Sequence, residues 1–110
     1  MEKEWLKNIE SGINKYKNEI VPFIKEGNYG AAGMDLLNVV YYFGLAIDKM
    51  EEDELCANIL VLASRFSFLS KACLDEYNSG NNKKVVKYAF NLTEEKIKEV
   101  KNYLKVALIK

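Results

Sequence analysis

The sequence contains no histidine, and its only arginine is Arg65. Without histidine the chain lacks the commonest transition-metal ligand and the side chain that most often acts as general acid or base. One arginine among 16 basic residues also leaves little capacity for bidentate recognition of phosphate or carboxylate. We therefore expect no metal, no cofactor and no enzymatic activity.

Cysteine and proline are nearly as rare, with two cysteines and one proline in 110 residues. Cys56 and Cys73 stand 17 positions apart in one predicted helix. That spacing separates them by about 25 Å, whereas a disulfide tolerates a Cα separation of about 7 Å at most. We expect buried, reduced thiols and a cytoplasmic protein.

Apolar residues recur at alternating three- and four-residue spacing in four stretches, and only an α-helix places such residues on one side. The four ladders are Leu6, Ile9, Ile13, Tyr16, Ile20 and Phe23; Tyr29, Ala32, Leu36, Val39, Phe43, Ala46 and Met50; Leu55, Ile59, Leu62, Phe66, Leu69 and Cys73; and Val86, Phe90, Thr93, Ile97, Val100, Leu104 and Ala107. Four such sides bury one another, so the sequence predicts an all-α fold, a four-helix bundle in which residues 1–110 form a single domain.

Turn-forming residues and charge runs divide the four helices. The predicted helices cover residues 3–26, 29–50, the stretch after the acidic run up to Tyr77, and residues from 83 onwards. Pro22 predicts a kink within the first helix, because the ladder keeps its phase there. Asn91 and Glu94 could cap a new helix, but the unbroken ladder favours one continuous fourth helix. Short connections predict an antiparallel up-down-up-down arrangement.

The second predicted helix carries three glycines, and each costs about 1 kcal/mol of helix stability relative to alanine. They are Gly30, Gly33 and Gly44. We expect all three to mark close contacts with neighbouring helices.

A second apolar row lies outside the ladders of the two middle helices. It comprises Met34, Leu37, Tyr41 and Leu45 on the second helix and Ala57, Val61, Ser64 and Phe68, with Leu60 beside them, on the third. An exposed apolar patch on a small domain usually marks a contact surface, so we predict a homodimer or partner interface in which Tyr41 and Phe68 act as aromatic anchors. In the alternative, the bundle is splayed and the row is ordinary core.

The apolar stretch from Leu55 to Leu74 has the length of a membrane span. It contains several polar residues, Arg65 and Lys71 among them, so we interpret it as protein core and expect no membrane association.

Acidic residues offer two candidate sites. Asp48 and the run Glu51–Glu54 lack the alternating spacing and the turn glycine of a calcium loop, so we interpret them as a solvated helix end. Asp35 is the only charged residue between Gly27 and Ala46. It is either an isolated functional carboxylate or a residue at the edge of the bundle that reaches water.

Charge is segregated although the formal net charge is zero. Residues 27–54 contain six acids and one lysine, whereas residues 83–110 contain eight lysines and three acids. The alternative function is therefore a nucleic-acid-associated accessory domain that contacts phosphates through its fourth helix. The lysines concerned are Lys83, Lys84, Lys87, Lys98, Lys101 and Lys105.

The segment Phe23–Tyr29, followed by Ala32 and Leu36, resembles the turn between the two helices of a tetratricopeptide unit, but nothing repeats at that family's 34-residue period. The same segment is similar to the helical turn of HEPN-type bundles. Their RNase activity depends on an arginine-and-histidine motif that this chain lacks, so this resemblance implies a non-catalytic relative. In size and architecture alone the chain is also similar to small secretion chaperones and bacteriocin immunity proteins.

Overall fold

The computed structural model describes the backbone of residues 3–109 and the side chains of residues 3–106. Every regular element in this part of the chain is helical. Helix α1 consists of Glu4–Lys15, a π-helical turn Tyr16–Ile20 and Val21–Lys25. Helices α2, α3 and α4 cover Tyr29–Lys49, Glu54–Ser79 and Lys83–Ile109. The four predicted helices are confirmed, as is the continuity of α4 through Asn91–Glu94.

The irregularity in α1 precedes the proline instead of lying at it. The Val21 N–H donates to the Tyr16 carbonyl, five residues earlier, which defines the π-turn. Pro22 has no N–H with which to continue the helical ladder, and the wider turn ends two residues before it. The sequence analysis placed the disturbance at Pro22, whereas the structure has its irregular turn just before the proline, over Tyr16–Ile20.

Two glycine-flanked breaks separate the helices. Gly27 and Gly80 both have positive φ, 79° and 73°, the left-handed conformation that a helix end favours in glycine. Between α2 and α3, Asp53 caps the next helix, because its Oδ1 accepts from the Cys56 N–H at 2.9 Å.

The ladders form the core, and each helix contributes one aromatic ring to its centre. Phe66 of α3 lies 5.3 Å from Tyr16 of α1 and 5.2 Å from Phe43 of α2, measured between ring centroids. Tyr16 also lies 6.4 Å from Phe90 of α4. Tyr16, Phe43 and Phe66 are fully buried. The side chain of Ala107, the last ladder position, lies outside the described residues.

Helices α2 and α3 approach closely because α2 presents glycine to α3. The buried Ser70 hydroxyl donates to the Gly33 carbonyl at 2.8 Å. A Cβ on Gly33 would lie 2.6 Å from Leu74 Cγ, and one on Gly30 would lie 2.9 Å from the Tyr77 ring. Gly44 has nothing within 4 Å of its Cβ position, so the expectation that all three glycines mark close contacts is wrong for Gly44.

Helices α3 and α4 are joined by polar contacts along one side. The Lys96 ammonium donates to Asn58 at 2.6 Å, and the Tyr103 hydroxyl donates to Glu54 at 2.8 Å. Thr93 is fully buried, and its hydroxyl donates to the carbonyl of Ala89 in its own helix at 2.8 Å. Because this bond pairs the Thr93 hydroxyl, its burial does not carry the free-energy cost of an unpaired polar group.

The contrasting surroundings of two glycines predict opposite effects of the same substitution. Gly33→Ala should lower the free energy of unfolding by about 1–2 kcal/mol, because the new methyl group meets Leu74 and the Ser70 backbone oxygen, 3.2 Å from the Cβ position. Gly44→Ala should raise it by about 1 kcal/mol through helix propensity alone. Urea unfolding of both variants at one low protein concentration checks this. Stabilisation by both substitutions would contradict the close α2–α3 contact.

Candidate self-association surface

The second apolar row of α2 lies on the side of the helix opposite its buried ladder. Met34 is 58% exposed, Leu37 47%, Tyr41 64% and Leu45 41%. The alternative in which this row is ordinary core is therefore wrong. Burial of such side chains contributes about 25 cal/mol per Å² of apolar surface, so the row is available to stabilise a contact with another molecule.

Helix α3 carries a matching set of exposed apolar residues. Leu60 is 49% exposed, Val61 38% and Phe68 38%, and Ala57 and Ser64 of the same row are also exposed. We use the name apolar face for the exposed apolar residues of the two helices taken together. It consists of Met34, Leu37, Tyr41, Leu45, Leu60, Val61 and Phe68.

The apolar face continues onto α4, which the sequence analysis did not anticipate. The Phe68 ring packs edge-on against Tyr88 with centroids 6.4 Å apart. Tyr88 is 60% exposed, and Val85, one helical turn earlier, is also exposed. The spacing of one helical turn between Val85 and Tyr88 was the available signal in the sequence for an apolar strip along α4.

Charged and polar side chains frame and interrupt the apolar face. Asn38 and Ser67 are exposed within its span. Asp48 near the end of α2 is exposed, and Lys71 near the end of α3 is exposed and pairs with Asp75 at 3.3 Å. An apolar centre with a polar rim is the usual anatomy of a protein–protein interface.

Asp35 lies at the edge of the bundle beside an ion pair. Lys15 and Glu19 are 3.0 Å apart, and both line the same open depression as Asp35. Partial burial raises the pKa of Asp35, while the Lys15 ammonium opposes that shift. No serine, cysteine or threonine lines the depression, so the described residues supply no nucleophile for this carboxylate to activate.

The acidic run between α2 and α3 has structural partners. Asp53 caps α3, and Glu54 accepts the Tyr103 hydroxyl. Within residues 3–106, no three Asp, Glu, Cys or His side chains lie close enough together to hold a metal ion.

The six lysines proposed for nucleic-acid contact are distributed along α4. Five are exposed, and Lys101 is half-buried. Burial and the neighbouring Lys17 ammonium lower the pKa of Lys101. The structure thus adds Lys17 of α1, which the sequence analysis did not single out, to this group.

Both cysteines are free and buried. Burial raises the pKa of the Cys73 thiol to about 11, which keeps it protonated and unreactive near neutral pH.

Helices α2 and α3 are each long and apolar enough to cross a membrane, with a mean hydropathy of 1.3 over the best window. Only 33% and 39% of those windows are buried in the bundle. Their length and hydropathy are weak evidence for a membrane span, because core helices of many proteins are equally long and apolar.

Comparison of the chain with protein-family models, with curated proteins and with solved structures finds no match.

Proposed function

We propose that this protein is a non-enzymatic interaction module of the cytoplasm that forms a homodimer through the apolar face. The exposure of Met34, Leu37, Tyr41 and Leu45 on α2 carries this proposal, together with that of Leu60, Val61 and Phe68 on α3. Aromatic residues at the centre of an apolar patch are typical anchors of protein interfaces. The buried reduced cysteines suit a reducing compartment.

We also infer that the four helices of each protomer alternate in direction. Gly30 near the start of α2 lies against Tyr77 near the end of α3. Likewise Glu54 at the start of α3 accepts from Tyr103 near the end of α4. Contacts between the start of one helix and the end of the next support an up-down-up-down bundle with short connections.

The arrangement of residues across α2 and α3 favours a second copy as the occupant of the apolar face. Gly33 contacts Ser70, so the next residues, Met34 and Lys71, lie at one level of the bundle. Ile47 and Cys56 line one depression at the other end, so Asp48 and Ala57, which follow them, share a second level. Tyr41 and Ser64 stand midway between these two levels in the sequence. Asp48 and Lys71 thus occupy opposite corners of the face.

This diagonal makes the face self-complementary in charge. A two-fold axis through the centre of the face, perpendicular to the line joining Asp48 and Lys71, exchanges the two ends of that line. Lys71 of each copy then meets Asp48 of the other, so the symmetric dimer gains two opposite-charge contacts. Tyr41 lies near the axis, where it is covered by the second copy.

A charge-swap series tests this dimer. Asp48→Lys or Lys71→Asp alone places like charges together twice per dimer, and each should weaken self-association on the order of tenfold at low salt. The double variant D48K/K71D restores opposite charges and should recover most of the loss. Sedimentation equilibrium of the wild type, the two single variants and the double variant measures the coupling.

The controls for the charge-swap series are Glu10→Lys and Lys25→Asp, which match the charge changes of Asp48→Lys and Lys71→Asp at exposed positions of α1. Both should leave self-association unchanged apart from net-charge effects. If the two single variants weaken the dimer additively and the double variant shows no recovery, the proposed orientation is wrong. If the wild type itself is monomeric, the dimer is wrong.

Lipid is the competing occupant of the apolar face, and the polar residues argue against it. Asn38, Ser64 and Ser67 are exposed within or beside the face, and Lys71 stands at its corner. Such groups lose hydrogen bonds in a hydrocarbon layer, whereas a protein partner or trapped water satisfies them. Co-sedimentation of the wild type with neutral phosphatidylcholine vesicles would contradict the dimer proposal.

A further inference from the structure

Five lysines of α4 lie along one flank of that helix. At about 100° per residue, Lys83, Lys87, Lys98, Lys101 and Lys105 fall within an arc of about 60°. The 22 helical steps from Lys83 to Lys105 correspond to about 33 Å of helix. We call this set the lysine flank. Glu94 falls within the same arc, so the row consists of two lysine clusters, Lys83 with Lys87 and Lys98 with Lys101 and Lys105, about 16 Å apart along the helix. Two such clusters can contact separate phosphates of one extended anion.

The lysine flank faces away from α3. Lys96 and Tyr103, which contact α3 through Asn58 and Glu54, lie on the other side of α4. The flank borders α1 instead, because Lys98 and Lys101 line a groove with Lys17 and Val21. The apolar face lies on α2 and α3, and its continuation on α4 lies on the side of that helix where Tyr88 contacts Phe68. A dimer formed there leaves the lysine flank of each protomer accessible.

The groove between α1 and α4 concentrates positive charge. Three ammonium groups, those of Lys17, Lys98 and Lys101, share it with one carboxylate, Glu94. That carboxylate already accepts the hydroxyl of buried Tyr16 at 3.2 Å. Like charges held together repel unless an anion lies between them, and the lowered pKa of Lys101 reflects this repulsion as well as burial.

We propose that the lysine flank, together with Lys17, binds the phosphate backbone of double-stranded nucleic acid. Its length of about 33 Å matches one turn of B-form DNA, about 34 Å. The residues that line the groove include no aromatic ring, so the groove has no stacking platform of the kind that single-strand binding uses. Lysine without arginine supplies phosphate contacts and little base recognition, so the binding is independent of sequence.

The test is fluorescence anisotropy with a labelled 20-base-pair duplex, as DNA and as RNA, over a salt series. Each phosphate contact contributes about −0.9 to the slope of log K against log salt concentration for duplex DNA. Lys17→Gln/Lys101→Gln removes two contacts, so the slope should become shallower by about 1.8. The same relation predicts binding about 60-fold weaker at 0.1 M salt.

The matched control is Lys25→Gln/Lys49→Gln, which changes the net charge equally at two exposed positions outside the groove. It should keep the wild-type slope. If half-buried Lys101 proves necessary for folding, Lys98→Gln/Lys105→Gln applies the same test at two exposed lysines of the flank.

Four results would overturn the proposal: no salt-dependent binding of either duplex by the wild type, equal weakening by the groove and control variants, tighter binding of a single-stranded oligonucleotide, or tighter binding of poly-glutamate of matched charge. The last of these would assign the flank to an acidic protein partner.

Discussion

Phe66→Ala should lower the free energy of unfolding by about 3–5 kcal/mol, a large part of the total stability of a domain of this size. Phe66 is fully buried and contacts Tyr16 and Phe43, so its removal leaves a cavity beside rings from two other helices. With an unfolding entropy of about 2.1 cal/mol/K per residue, the melting temperature should fall by about 13–22 °C. Calorimetry and urea unfolding measure both quantities.

Phe68→Ala, two residues further along α3, is the matched control for Phe66→Ala. Phe68 lies on the same helix and is 38% exposed on the apolar face. Phe68→Ala should lower the unfolding free energy of the monomer by only about 1–2 kcal/mol, because the ring is partly exposed and its described ring contact is with Tyr88 alone. Both variants are compared at a protein concentration low enough to keep them monomeric. A larger loss for Phe68→Ala than for Phe66→Ala would reverse the proposed assignment of core and surface.

Tyr41→Asp should weaken self-association on the order of 100-fold, which corresponds to about 2.7 kcal/mol. The substitution removes an aromatic anchor and buries an unpaired carboxylate at the centre of the interface. Because Tyr41 lies near the proposed two-fold axis, it also brings two negative charges close together. Sedimentation velocity at matched concentrations measures the change.

Two further variants separate the effect of burial from that of charge. Tyr41→Phe keeps the ring and should retain self-association within about threefold. Asn14→Asp adds the same negative charge at an exposed position of α1 and should have no effect on it. Equal dissociation by Tyr41→Asp and Asn14→Asp would mean that net charge, and not the apolar face, controls association.

The helices were predictable because local spacing fixes them. The ladder positions of α2 from Ala32 to Ala46 are all buried, since residues three and four apart necessarily share one side of a helix. The helix ends at Gly27 and Gly80 were equally predictable, because glycine readily adopts the positive φ that both residues have.

The π-turn in α1 was not predictable from that spacing. An apolar ladder indicates which residues face the core but not the hydrogen-bonding pattern of the helix. Tyr16 and Ile20 are ladder residues, and both are buried although they belong to a π-turn. Pro22 signals that a hydrogen bond is missing, but the surrounding packing decides where the helix absorbs the loss.

The glycines of α2 show a similar limit. Gly33 and Gly44 look alike in sequence, yet only Gly33 meets a neighbouring helix. The spacing of residues in the sequence predicts which side of its helix a residue occupies. Which residue of a neighbouring helix it contacts depends on how the two helices pack. The Phe68–Tyr88 contact and the Lys17–Lys101 pair were missed for the same reason.

The two proposed surfaces, the apolar face and the lysine flank, lie on different sides of the bundle and have different proposed roles. In the proposed assembly the apolar face joins two copies, and the lysine flank of α4 remains accessible on each. Because the lysine flank borders α1 and faces away from α3, the two flanks of such a dimer lie on its outer sides. Disruption of the dimer at Tyr41 should therefore leave the binding of a short duplex by each flank unchanged.

The most direct test of the central claim is the mass of the wild-type protein in solution, measured by sedimentation equilibrium from about 1 μM to about 1 mM, a range that covers weak and strong dimers. If the apolar face joins two copies, the weight-average mass rises with concentration from the 12.6 kDa of one chain towards twice that value. A mass that stays at 12.6 kDa over the whole range would contradict the account.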